Sequence, residues 1–96
     1  MAIKILIKRK IPKGFTDPQL NKLVRQLRAL ATAHQGYISG ETLKRMDRPE
    51  DYLVISTWQN KNSWDTWCTS RERAEIQKQI DALLGAPTEY EMYEYV

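Results

Sequence analysis

The sequence predicts an α+β domain with the element order β-α-β-β-α-β. Three observations carry this. Residues 1–11 alternate apolar and basic side chains, as a strand does; residues 16–36 place leucines at helical spacing between a capping residue and a glycine; and two further strand-like runs, 37–46 and 51–59, flank the turn Asp47-Arg48-Pro49-Glu50 before helix-forming sequence resumes.

In the first strand Ile3, Ile5 and Ile7 point one way, and Lys4, Lys8 and Lys10 mostly the other. Ile11-Pro12-Lys13-Gly14 breaks it. Thr16 or Asp17 can cap the following helix, Pro18 suits its first turn, and Gln19 can complete a capping box with Thr16. Leu20, Leu23, Val24, Leu27, Leu30 and Ala31 form one apolar face, and the helix is expected to end near Gln35-Gly36. The third strand, Asp51 to Gln59, is apolar on both sides: Leu53, Ile55 and Thr57 on one, Tyr52, Val54 and Trp58 on the other. Asn60 to Thr69 reads as a short helix capped by Asn60 or Ser63. Ser70 to Leu84 reads as a second helical stretch, stopped by Gly85-Ala86-Pro87, and Thr88 to Val96 as a last strand. The second helix is therefore broken in two. This order is the split βαβ pattern of ferredoxin-like α+β domains, here with a four-stranded antiparallel sheet. Helices cover one face of such a sheet. Because the third and last strands are apolar on both sides, a second copy packing sheet to sheet is expected to cover the other, giving a homodimer.

The chain has 96 residues and is expected to form a single domain, 1–96. An apolar share of 42% and a charged share of 28% are those of a globular protein. No apolar run is long enough for a transmembrane helix, and MAIKILIKRK is too short and too charged for a signal peptide, so a cytoplasmic protein is expected. One cysteine, Cys68, makes neither a disulfide framework nor a Cys-based metal site. Net charge is +3, but residues 1–48 carry +8 and residues 49–96 carry −5, an asymmetry that can steer acidic ligands. The basic residues do not interleave with aromatics as a nucleic-acid platform requires, so no nucleic-acid partner is expected.

The sequence resembles the antibiotic biosynthesis monooxygenase domain, within the dimeric α+β barrel superfamily. The resemblance spans nearly the whole chain. It rests on Gly36-Tyr37 opening the second strand with Glu41 further along, on Tyr52 to Trp58 (YLVISTW), on Ser63-Trp64, and on Trp67 and Ser70. It implies a dimer with a pocket in each subunit between sheet and helices. Some members oxidise anthrones or quinols to quinones with O₂ and neither metal nor flavin; others degrade haem or act on small quinones. The haem-degrading branch uses a helix histidine, a strand asparagine and a tryptophan. This chain has Trp67 at the tryptophan's place but Gln77 at the histidine's and Ile7 at the asparagine's, and an amide is a poor iron ligand beside an imidazole.

All three tryptophans, Trp58, Trp64 and Trp67, fall within ten residues. Trp64 and Trp67 share a helix face. They serve either to fasten the short helix to the sheet or to wall a pocket on which a flat ligand stacks. His34, the one histidine, suits a helix C-terminus or a general base for a phenol. Tyr52, Tyr37, Tyr90, Tyr93 and Tyr95 offer phenolic hydrogen bonds to a quinol or serve as sheet and dimer contacts. Arg45, sharing a strand face with Glu41 and Tyr37 by parity, can stabilise a phenolate or make a salt bridge. A lone histidine without partner ligands argues against a metal site, and there is no Gly-rich phosphate loop. The reading is a monooxygenase, hence an oxidoreductase, acting without a cofactor on an electron-rich, hydrophobic aromatic small molecule. Its catalytic candidates are His34, Arg45 and Tyr52, with Trp58, Trp64 and Trp67 lining the pocket. The alternative is a non-catalytic dimeric module that binds a small molecule or haem.

Overall fold

A computed structural model describes residues 1–96. Its elements are β1 (Ile3–Lys10), α1 (Pro18–Ala33), β2 (Tyr37–Lys44), β3 (Asp51–Trp58), α2 (Lys61–Cys68), α3 (Arg71–Leu84) and β4 (Glu89–Glu94). The strands form one antiparallel sheet in the order β2-β3-β1-β4. The β1-α1-β2 connection passes over β3, and β3-α2-α3-β4 passes over β1. This is the ferredoxin-like α+β fold that the element order predicts.

Local chemistry sets the helix ends. Asp17 rather than Thr16 caps α1, its Oδ1 accepting from the Gln19 backbone N–H at 2.8 Å. Asn60 Oδ1 accepts from the Ser63 N–H at 2.8 Å, and Ser70 Oγ from the Arg73 N–H at 3.4 Å. Gly85, left-handed at φ 68°, ends α3. The end of α1 differs from expectation. The helix stops at Ala33 with His34 extended, and Gly36, at φ 92°, turns the chain two residues later into β2.

Register decides which side chains meet the helices. Ile3, Ile5, Ile7 and Arg9 lie opposite Trp58, Ser56, Val54 and Tyr52, and this set faces the helices. On β2 the pairing jumps from Tyr37–Trp58 to Ser39–Thr57, so Ile38 is an extra, bulged residue. The bulge corrects one expectation. Tyr37 lies on the helix side with Gly40 and Thr42, while Glu41 lies on the outer face with Ser39 and Leu43, so Tyr37 does not share a face with Glu41 and Arg45. Arg45 itself lies just beyond the end of β2.

The interlayer core is in two parts. Ile3, Ile5, Trp58, Trp64 and Trp67 form one cluster, and Leu20, Leu23 and Ile80 the other, with Leu27 packed against both. Arg9 of β1 and Arg73 of α3 are also buried in this layer.

Gly36 is the most tightly packed of the glycines. A Cβ there overlaps the Ser63 side chain, and its φ lies where L residues are strained by about 1–2 kcal/mol. Gly36→Ala is therefore expected to lower the urea unfolding midpoint by the equivalent of about 2 kcal/mol or more. Adding Ser63→Gly should restore part of the loss, since it removes the clash but not the strain. Full restoration would show that the backbone carries no strain.

Candidate active site between the sheet and the helices

A cavity of about 260 Å³ lies between the helix side of the sheet and the helices. Its wall is aromatic. Trp58 and Trp67 stack with ring centroids 6.2 Å apart and planes 24° apart, and Trp64 meets Trp58 edge-on at 5.7 Å. Tyr37 meets Trp58 edge-on at 5.5 Å. The Trp58 indole N–H donates to Ser56 Oγ at 3.1 Å, which fixes a ring only 1% exposed. The same tryptophans that close one core cluster also line the cavity, so packing and pocket are not alternatives here. Gly40 matters to this shape: the Tyr37 hydroxyl lies 2.6 Å from where a Cβ at Gly40 belongs.

The other side of the cavity is cationic. Arg9 reaches it from β1, Arg28 from α1 and Arg73 from α3, and no Asp or Glu lines it. Arg9 Nη2 donates to Gln77 Oε1 at 3.2 Å. Gln77 Nε2 donates in turn to Asp81 Oδ1 at 2.8 Å and Thr88 Oγ1 at 2.7 Å, and Thr88 Oγ1 donates to the same Asp81 oxygen at 2.8 Å. Arg73 donates to the Cys68 carbonyl at 3.1 Å and to the Tyr90 hydroxyl. Arg28 donates to Thr42 Oγ1 at 3.0 Å, strapping α1 to β2. The ion pairs of the molecule, Lys8–Glu91, Arg45–Asp47, Arg45–Asp51 and Lys61–Asp65, include none of these arginines.

Burial is what perturbs the site's groups. Desolvation lowers the Arg9 pKa, Tyr90 and Asp81 oppose this, and the Arg73 and Arg28 charges reinforce it. A guanidinium nonetheless stays protonated near neutrality. Burial raises the Tyr90 pKa above the ordinary value, and the Arg73 and Arg9 charges pull it back only in part. A neutral phenol facing cations that make no ion pair can donate a hydrogen bond while the arginines stabilise negative charge on whatever it contacts.

The residues expected to act are dispersed. Trp58, Trp64 and Trp67 converge on the cavity. His34 does not line it. Its ring packs edge-on against Trp58 at 5.9 Å and Trp67 at 5.5 Å, with Nδ1 3.1 Å from the Gln35 carbonyl oxygen. Tyr52 lines an adjoining cavity of about 380 Å³, which shares Arg9, Arg28 and Thr42 with the first. Arg45 is at the surface, held by Asp47 at 2.6 Å. Tyr90, one of the tyrosines offered as a phenolic donor, does line the cavity, whereas Arg9, Arg28 and Arg73 are the lining residues that sequence reasoning passed over for chemistry. Two had a signal: Arg9 continues the parity of Ile3, Ile5 and Ile7, and Arg73 precedes Gln77 and Ile80 at helical spacing on the buried side of α3.

Ile7, Trp67 and Gln77, which the sequence resemblance sets at the places of the haem-degrading residues, do line one cavity. The donor set does not fit haem iron. The Gln77 oxygen accepts from Arg9, its nitrogen is committed to Asp81 and Thr88, and Ile7 has no polar atom. No three His, Cys, Asp or Glu side chains come together to hold a metal ion.

Fold and cavity define a class: a ferredoxin-like α+β domain with a cavity between its sheet and helices. The chain belongs to the antibiotic biosynthesis monooxygenase family, whose model matches residues 2–79. Among solved structures it is similar to a conserved protein from Methanosarcina mazei Go1, at 20% identity and TM-score 0.86, covering 100% of this chain and 94% of that one. It is similar to SnoaB, a cofactor-independent oxygenase from Streptomyces nogalater, at 10% identity and TM-score 0.81, covering 99% and 93%. Rv0793 from Mycobacterium tuberculosis matches at 12% identity and TM-score 0.81, covering 100% and 96%. These likenesses establish the shared fold. No curated protein matches in sequence. No helix is long and apolar enough to cross a membrane.

Tyr90 is expected to ionise later than an unhindered tyrosine in an alkaline phenolate-absorbance titration, and Tyr90→Phe should delete that late step. The sign for stability follows. Unfolded tyrosine loses its proton near pH ~10 while folded Tyr90 holds it, so this residue's contribution is intact below that pH and lost as pH rises through the folded pKa. Early ionisation of Tyr90 would contradict its buried placement.

Proposed function

We propose that the protein is a monooxygenase that oxidises an electron-rich aromatic of the anthrone or quinol type with O₂ and no cofactor. The observation that carries this reading is a tryptophan-walled cavity lined by three arginines and no carboxylate. Membership of a monooxygenase family and the fold shared with an oxygenase described as cofactor-independent support it. For an anthrone the balance is simple. The ring CH₂ loses a proton to solvent to leave an enolate, whose oxygen Arg9, Arg73 and the neutral Tyr90 phenol stabilise, and the peroxide formed next takes a proton back. The anion gives electrons to O₂, a C–O bond forms, and the hydroperoxide loses water to leave the quinone carbonyl. One oxygen atom enters the product and one leaves as water. The protein's part is to exclude water, hold the flat ring against Trp58, Trp64 and Trp67, and lower the substrate's pKa. We assign the phenolate work to Arg9, Arg73 and Tyr90 rather than to His34, Arg45 or Tyr52.

The second reading, a cytoplasmic module that binds a hydrophobic aromatic without turnover, draws on the absence of a histidine or carboxylate base among the lining residues. In either case we propose a homodimer closed sheet to sheet, a dimeric α+β barrel. The outer face has no helix over it, and it carries half-buried Leu6, Leu53 and Ile55 beside Leu43 and Tyr93, 47% and 53% exposed.

Oxygen uptake with a dithranol-type anthrone, no metal or flavin added, is expected to exceed that of boiled protein and to form one quinone per O₂. Tyr90→Phe, which keeps ring volume, should lower the rate about tenfold or more. Uptake equal to the boiled control favours the binding module, and an unchanged Tyr90→Phe rate removes that phenol from the mechanism. Light scattering should return twice the chain mass, and Ile55→Lys should return the chain mass alone; a monomeric wild type would end the dimer proposal.

A further inference from the structure

Arg9 is 9% exposed, and its Nε is the one buried side-chain polar atom in the molecule without a hydrogen-bond partner. The guanidinium is not free to seek one. Its Nη2 is tied to Gln77, and Gln77 is tied to Asp81 and Thr88. Asp81, the carboxylate of that network, spends its oxygen on Gln77 and Thr88 and makes no ion pair with Arg9. Arg73, also nearly buried, lines the same cavity with a carbonyl and a phenol for partners, neither of them an anion. Asp81 offsets the burial of Arg9 only in part and from a distance, and burying two cations without an ion-paired anion is unfavourable. Water can meet a donor but not neutralise a cation, so a ligand that brings the missing charge recovers this penalty.

We propose that Arg9, with Arg73 beside it, forms a carboxylate subsite, so that the ligand of this cavity is an aromatic acid: a flat ring against the tryptophans and a carboxylate at the Arg9 guanidinium. A carboxylate is favoured over a phenolate because a planar two-oxygen anion matches the guanidinium fork, whereas a single oxygen leaves part of it unmet. The inference deepens the proposed function and rests on the same cavity being the ligand site, but it does not require turnover.

Calorimetric titration of the anaerobic protein with 2-naphthoate and with 2-naphthamide tests it. The two probes share the ring and differ in charge. Naphthoate is expected to bind about tenfold or more tightly than the amide, and Arg9→Gln to abolish that preference. If Arg9→Gln does not fold, Arg9→Lys serves in its place, since it keeps a charge but loses the fork, and the preference should fall. Equal binding of the two probes, no binding of either, or a preference that survives these substitutions overturns the subsite. The two proposals fail separately. Uptake of O₂ with an uncharged anthrone and no preference for naphthoate leaves the oxygenase reading and removes the subsite. Preference for naphthoate with no uptake for any anthrone, carboxylated ones included, does the reverse.

Discussion

The space between sheet and helices is organised by Trp58. It ends β3, lies opposite Ile3 and Tyr37 in the sheet, and contacts the rings of His34, Tyr37, Trp64 and Trp67. A ring this large at the end of a central strand holds α2 off the sheet, and the stacked Trp67 extends the separation. The second apolar cluster, Leu20, Leu23 and Ile80, is joined to the first through Leu27, and the cavity lies against the tryptophans of the first.

What occupies the rim of that gap is polar and tightly constrained. Gln77 has both its amide atoms engaged, and through it Asp81 and Thr88 fix the plane of Arg9. Such a network is worth more for orientation than for stability, since desolvating the charges offsets much of what the hydrogen bonds contribute. In a catalytic site that trade is useful: donors already aimed need not reorganise when charge develops on a ligand.

Much of the fold was legible in the sequence because local signals agreed with one another. Asp17-Pro18, Asn60, Ser70 and Gly85 mark helix ends by their own chemistry, and the alternation of Ile3, Ile5 and Ile7 gives a strand and its faces. The site was less legible, for two physical reasons. A charge reads as solvent-facing, so Arg9 does not stand out among the lysines around it although its parity places it with the isoleucines. And the Ile38 bulge has no marker in its residue type; one extra residue reverses the parity between Tyr37 and Glu41, and with it any assignment of which side chains share a face. His34 shows a third limit. Its position at the end of α1 was readable, but which wall of the cavity that end lies behind depends on how α1 crosses the sheet.

The arrangement of the site across the fold has a consequence for variation within it. The ring wall comes from β3 and α2, which carry Trp58, Trp64 and Trp67. The cations come from β1, α1 and α3, through Arg9, Arg28 and Arg73. Shape and charge are therefore encoded in separate segments of the chain. A lineage or a designer can exchange the electrostatic character of the pocket by altering three positions while leaving its aromatic surface untouched, or reshape the wall without disturbing its polarity.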